Sequence, residues 1–356
     1  MRGIRMAEIA VGKGNWANAS ARSKARKAKL LDEKRFRQLM QSGPETIAAS
    51  IGELGYRKEL DMYSARLSGA DLVEAALSHN LHRELKEVMG FCQGRLKRIV
   101  SVFALRFSYA SAKAVLRAVN GGISADELAR TVLPDEDDLN IVWLDIARNS
   151  ESLPDAAAAM KGTPWGAAIA DVDAEAALQD YEDALDRHYY HEAISALRSS
   201  GQSHSLLLGY LRTEIDHRNI VNLLRALRQG LSTTQRSNLL LEGGRALRGT
   251  LLRSAAQADT EDALMEVLRR SNMDVVELEE ALTRSKDHGG LDPVVSHLAS
   301  RRRADLRRMS HLNPLSAFPI IHYLESKVLE VQNLRLLVRG KAVGLSEEVI
   351  EAHMAF

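Results

Sequence analysis

Few side chains in this sequence stand at spacings that could do chemistry. His79 and His82, and again His188 and His191, are three residues apart. On a helix that spacing puts both rings on one face. No acidic or cysteine residue completes a zinc set at a standard spacing, so the expectation is surface or half-buried histidines and no metal. A phosphate cradle of the form G-x-x-x-x-G-K-[ST] is absent. Gly12-Lys13-Gly14 lacks the spacing and the hydroxyl, and Gly340-Lys341-Ala342 lacks the Ser or Thr that would hold magnesium. Cys92 stands alone and reads as a packing residue, and no Ser/His/Asp set is legible. No cofactor and no direct nucleotide binding are expected.

Two polar pairs are more informative. Asp216 and Asn219 are three apart, as are Glu330 and Asn333. Paired carboxylates at this spacing can serve acid–base work, but here one member of each pair is an amide. A structural role is the stronger reading: polar side chains bonding the end of a neighbouring helix at a junction between domains.

The elements that must carry these pairs form an internal repeat. The sequence reads SAKAVLRAVNGGIS from Ser111, NIVNLLRALRQGLS from Asn219 and NLRLLVRGKAVGLS from Asn333. With those residues aligned, Ser108, Asp216 and Glu330 share one position, Arg117, Arg225 and Arg339 another, and Gly122, Gly230 and Gly344 a third. The copies are 108 and 114 residues apart, far beyond a solenoid period, so each predicts a small helical domain. Glycine ends the helix in each copy because it enters the left-handed conformation freely. Ser124, Ser232 and Ser346 then N-cap the next helix, with Glu127 and Gln235 three residues on as capping-box partners. The repeated arginines could line a shared axis or could snorkel on the surface.

Composition sets limits on the rest. The chain has 356 residues, a formal net charge of +1, 27% charged and 5% aromatic residues, so no global field points to nucleic acid. One cysteine rules out an internal disulfide framework. No apolar run is expected to span a bilayer, which takes about 20 residues, and no signal-peptide core is visible. Charge is uneven: residues 1–37 carry eleven Lys/Arg against three acids, and residues 121–200 seventeen acids against five Lys/Arg. The run Arg301, Arg302, Arg303, Arg307 and Arg308 could be a solvated face or a docking surface for acidic partners.

Taken in order, residues 1–17 form a flexible lead-in, followed by a basic helix over 18–41, a long amphipathic stretch over 60–89 and the first signature helix. Pro134–Asp138 reads as a linker. Three domains result, at 18–134, 139–247 and 250–356. The fold class is all-α, since β-branched runs are short and never alternate for long.

NWANASARSKARKAKLL near the start and PLSAFPIIHYLESKVLEVQNLRLLVRGKAVGLSEEVI at the end resemble the opening and the C-terminal signature of one family. It is the family of the C subunit of the archaeal-type ATP synthase, equivalent to the d subunit of the vacuolar-type ATPase. The resemblance runs nearly end to end, with Ser108 and Ser111 where the family has Asp and Asn. It implies three similar helical domains in a pseudo-threefold funnel, without an active site. It also implies a monomer within a hetero-oligomeric complex, peripheral on the cytoplasmic side of the membrane. There it would join the rotor shaft, subunits D and F, to the proteolipid ring. A free-standing helical adaptor for proteins or nucleic acid is the rival expectation.

Overall fold

The computed structural model describes residues 14–43, 46–135, 137–198, 202–271 and 273–356, leaving aside the side chains of 139, 202–205, 287 and 288. Most of the lead-in therefore lies outside the described residues. Among those described, every regular element is a helix. They are α1 (Trp16–Lys27), α2 (Glu33–Met40), α3 (Ile47–Ile51), α4 (Arg57–Tyr63), α5 (Gly69–Phe91), α6 (Gly94–Asn120), α7 (Ala125–Thr131), α8 (Ile141–Arg148), α9 (Leu153–Ala159) and α10 (Pro164–Ile169). There follow α11 (Leu178–Arg198), α12 (Gln202–Arg228), α13 (Thr233–Asn238), α14 (Thr250–Gln257), α15 (Glu261–Arg269), α16 (Val276–His288), α17 (Asp292–Leu312), α18 (Phe318–Ala342) and α19 (Glu347–His353). Two compact units are present. One joins residues 14–185 with 319–356; the other is built around residues 186–318.

The basic stretch expected as one helix over 18–41 is two, α1 and α2. The break has a physical cause. Leu31 donates its backbone N–H to Glu330 Oε2 at 2.7 Å, and Asp32 turns its carboxylate onto the amide of Arg35 at 2.9 Å, capping α2. The stretch expected over 60–89 is likewise divided, between α4 and α5, at Ser68 and Gly69, where the glycine has φ 58°. The segment read as a linker is tied down: Asp137 is buried and meets His82 Nδ1 at 2.8 Å, and Asp135 pairs with Arg66.

The three signature helices α6, α12 and α18 end alike. Gly122, Gly230 and Gly344 have φ 65°, 67° and 75°. The next residue in each case reaches back five positions: Ile123 N to Ala118 O at 2.9 Å, Leu231 N to Ala226 O at 2.9 Å, Leu345 N to Gly340 O at 2.8 Å. This is the six-to-one hydrogen bond that closes a helix through a left-handed glycine. Ser124, Ser232 and Ser346 then cap α7, α13 and α19, accepting from the amides of Glu127, Gln235 and Val349. Around Ser232 the capping box is reciprocal, with Gln235 accepting from the Ser232 amide.

Each unit has a core, and in both a signature helix packs against residues far from it in sequence. In the larger unit Val331, Leu334, Leu337 and Val338 of α18, with Ile350 of α19, pack among Phe36, Ile51, Tyr56, Tyr63 and Leu77. In the other, Ile220, Leu223 and Leu224 of α12 pack among Leu264, Leu268, Leu278, Leu282 and Val294. The contributing positions match: Ile220 with Leu334, Leu223 with Leu337, Leu224 with Val338. Each such side chain contributes about 1.5–3 kcal/mol on burial, so losing a signature helix would empty the core it supports.

Helix α6 corrects one expectation. It is long and apolar enough, by length and composition, to cross a membrane. Its apolar face is nevertheless occupied, since Leu96, Ile99, Val100, Phe103, Val115 and Leu116 are all buried within the protein.

The role of the helix-ending glycine is testable within one element. Gly230→Ala forces a side chain into the left-handed region and should lower the unfolding free energy by about 1–2 kcal/mol. Gly209→Ala, inside α12 with open space at the Cβ position, should leave stability unchanged or raise it by up to about 1 kcal/mol. Urea melts of the two variants check the opposite signs.

Candidate functional site

The repeated polar positions are occupied in a common way in the second and third copies. Asn219 is fully buried on α12. Its side chain donates from Nδ2 to Leu241 O and accepts the Leu241 amide on Oδ1, both at 2.8 Å. Asn333 on α18 grips Ala355 in the same manner, at 2.7 Å and 3.2 Å. Both targets lie 22 residues further on, just past the short helix after each signature. An amide suits the task because it offers a donor and an acceptor side by side, which a carboxylate does not. Ser111 on α6 makes no such bracket; its hydroxyl bonds Phe107 O one turn back.

The position three residues earlier holds onto a different target. Asp216 accepts three backbone amides, from Arg245 at 3.0 Å, Ala246 at 2.8 Å and Leu247 at 3.0 Å. Burial pushes its carboxyl above the usual range, and those three amides pull it back. A Cβ on Gly244 would lie 2.2 Å from Asp216 Oδ1, so the chain passes this carboxylate only as glycine. Glu330 accepts the amide of Leu31, the hydroxyl of Tyr56 at 2.5 Å and the ammonium of Lys327 at 2.8 Å. Lys327 also donates to Tyr56 Oη and lies over that ring. Burial, then the neighbouring Glu330 charge, holds the Tyr56 phenol well above its ordinary range. Ser108, the first-copy equivalent, accepts from Trp165 Nε1 at 3.3 Å.

The arginines divide into two sets. Arg117 forks onto Glu182, and Arg339 forks onto Glu74 at 2.6 Å and 2.7 Å with a further bond to Asp71. Glu74 and Glu182 are 108 residues apart, the spacing of the first two copies, so the two forks are equivalent. Arg225 is exposed. Within α17, Arg301 donates to the backbone oxygen and carboxylate of Asp274, and Arg302 meets Glu214 at 3.2 Å. Arg303 is half-buried, and desolvation lowers its guanidinium from the ordinary range. Arg307 and Arg308 are exposed, with Arg308 3.5 Å from Asp305.

The histidines take their character from their surroundings. His79 Nδ1 meets Tyr63 Oη at 2.8 Å and His82 meets Asp137. Burial lowers the pKa of His79 and His188. Cys92 is buried, and burial pushes its thiol up to about 11, which makes thiolate chemistry at neutral pH unfavourable. Among the described residues no three His, Cys, Asp or Glu side chains gather as a metal set.

His217 belongs to no motif in the sequence, although the repeat register points to it. It occupies the position held by Tyr109 in the first copy and Val331 in the third. It is 7% exposed, its Nδ1 has no hydrogen-bond partner, and burial together with the charges of Arg302 and Arg301 brings its pKa down to about 4.

Helices throughout, with carboxylates and amides bonded to backbone at junctions distant in sequence, define a helical scaffold. Comparison with known proteins gives the particular family: residues 19–353 match the ATP synthase (C/AC39) subunit family, and the chain belongs to it. The A-type ATP synthase C subunits of Haloquadratum walsbyi and Haloferax volcanii are each 28% identical to this chain. The first aligns over 96% of this chain and 99% of its own length, the second over 94% and 95%. That of Methanococcoides burtonii is also 28% identical, over 94% of this chain and 93% of its own.

The geometry sets two expected outcomes. Asp216→Ala strands three amides and should cost about 3 kcal/mol or more of stability. Asn333→Ala, with its bracket only partly buried, should cost about 1–2 kcal/mol; denaturant melts give the order. For His217 the folded pKa near 4 lies below the unfolded value near 6.5, so the unfolded chain binds the extra proton between them. Stability should therefore fall as pH drops from 6.5 towards 4, by on the order of 2–3 kcal/mol. His217→Tyr should flatten that slope.

Proposed function

We propose that this chain is a non-catalytic central-stalk subunit of a rotary A-type/V-type ATP synthase/ATPase. In this reading three similar helical domains, 18–134, 139–247 and 250–356, are set about a pseudo-threefold axis. They join a rotor shaft of subunits D and F to a proteolipid ring, on the cytoplasmic side of the membrane. The chain works there as one copy in a hetero-oligomeric complex, and ATP chemistry and ion movement belong to other subunits.

One observation carries the reading. In the first and third copies the signature helix lends its polar residue to another copy, and in the second it holds the end of its own. Ser108 bonds Trp165 of the second, Glu330 bonds Leu31 of the first, and Asp216 bonds Arg245–Leu247 at the end of its own copy. The link from Glu330 of the last copy back to Leu31 of the first supports a reading in which the copies depend on one another. Such an arrangement suits a collar that transmits torque, because close-packed interiors have low compressibility. The relatives' shared name supports the assignment to this complex.

Affinity purification of the chain from its native membranes under mild detergent tests the reading. The expected outcome is co-purification with the nucleotide-binding, shaft and proteolipid subunits in fixed stoichiometry. Recovery of the chain alone, or with unrelated proteins or nucleic acid, would support a free-standing adaptor instead. Arg307→Ala/Arg308→Ala should weaken reassembly more at low salt than at high salt. Unchanged assembly would make these two side chains a solvated face.

A further inference from the structure

The unit built around residues 186–318 contains a cavity of about 570 Å3 that plays no part in the coupling role. Its lining includes six basic side chains: His217, Arg245, Arg248, Arg270, His297 and Arg301. Three acids also line it, and each already has a partner. Asp216 is occupied by three backbone amides, Asp274 by Arg301, and Asp305 lies by Arg308. Among the described residues the guanidinium groups of Arg248 and Arg270 form no ion pair with a carboxylate, whereas Arg245 lies close enough to Asp216 to lower its carboxyl pKa. The lining thus keeps two guanidinium groups, those of Arg248 and Arg270, without a carboxylate partner around one opening, Arg270 bonding only the backbone oxygen of Glu266.

The floor adds an independent sign. His217, only 7% exposed, lines the cavity and leaves Nδ1 without a hydrogen-bond partner. Nε2 of His297, also on the lining, is buried and unpartnered as well. A buried polar atom left unpaired costs about 1–3 kcal/mol, so it calls for a reason. Packing does not supply one, because the equivalent position is filled by Val331 in the third copy and by Tyr109 in the first.

We infer that this cavity binds a small anion bearing at least two phosphate groups, the diphosphate unit of free pyrophosphate or of a nucleotide. Arginine forks match phosphate oxygens bidentately, so guanidinium groups spread around one opening suit an extended polyanion with several phosphate oxygens. The volume falls within the range of small-molecule sites, about 300–1,000 Å3, and is far larger than one phosphate needs. Contiguous phosphate motifs are absent from the sequence because these cations come from α12, the 245–248 turn, the residue that ends α15, and α17. The inference does not depend on the coupling role proposed for the chain.

Isothermal titration of the full chain with pyrophosphate, orthophosphate and ATP in separate runs tests it. Pyrophosphate should bind saturably with one-to-one stoichiometry at concentrations up to about 1 mM. Arg248→Gln/Arg270→Gln should weaken it by more than about tenfold, as expected when charge-assisted hydrogen bonds are lost. Both residues are exposed, and circular dichroism melts verify that the variant folds. Arg253→Gln, outside the cavity, serves as the control and should bind as the parent does. ATP binding at least as tight as pyrophosphate, and lost in the double variant, supports the site with a nucleotide as the source. Weaker ATP binding supports it with free pyrophosphate. No saturable binding of pyrophosphate or ATP would overturn the inference. So would orthophosphate binding as tightly as pyrophosphate, or equal affinity in the parent and the double variant.

Discussion

The constraint on which the rest of this structure depends is the need to satisfy backbone amides where one helical segment hands over to another. A buried N–H without an acceptor costs more than most side-chain contacts return. Helical bundles usually meet this need locally, through caps. Here Asp216 and Glu330 meet it over long sequence separations, taking amides at Arg245–Leu247 and at Leu31. Each carboxylate is worth burying only because several donors surround it. That makes the junction all-or-none: the helix and the segment it holds are placed together or not at all.

The apolar core keeps to the same repeat register. Ile220, Leu223 and Leu224 fill the core around Leu264 and Leu278, and Leu334, Leu337 and Val338 fill the core around Phe36 and Tyr63. The third signature helix therefore completes the region where the chain begins. The first copy is the exception in its polar chemistry. Ser108 and Ser111 are too short to reach far, and Ser108 accepts one indole N–H where Asp216 accepts three amides.

Much of this was legible in the residues. The glycine–apolar–serine ending of each signature encodes a left-handed stop and a hydroxyl cap, and both are local chemistry that needs no tertiary partner. The all-helical class followed from composition and period for the same reason. What the residues could not display was long range. That Leu31 gives its amide to Glu330, and so divides the basic stretch into α1 and α2, depends on a carboxylate 299 positions away. The partners of Arg117 and Arg339 were hidden likewise, although the equal spacing of Glu74 and Glu182 with the repeat could have suggested them. His217 was visible in principle, as the one polar residue in a register position that is Tyr or Val elsewhere. Membership of the ATP synthase (C/AC39) subunit family agrees with the resemblance seen at both ends of the chain.

The most direct measurement is hydrogen–deuterium exchange on Glu330→Ala, read peptide by peptide. If α18 and the segment bearing Leu31 and Tyr56 are one cooperative element, protection should fall together in residues 31–63 and in α18 and α19. Residues 250–298 should keep theirs. Loss confined to the turn around residue 330, or spread evenly over the whole chain, would contradict the account.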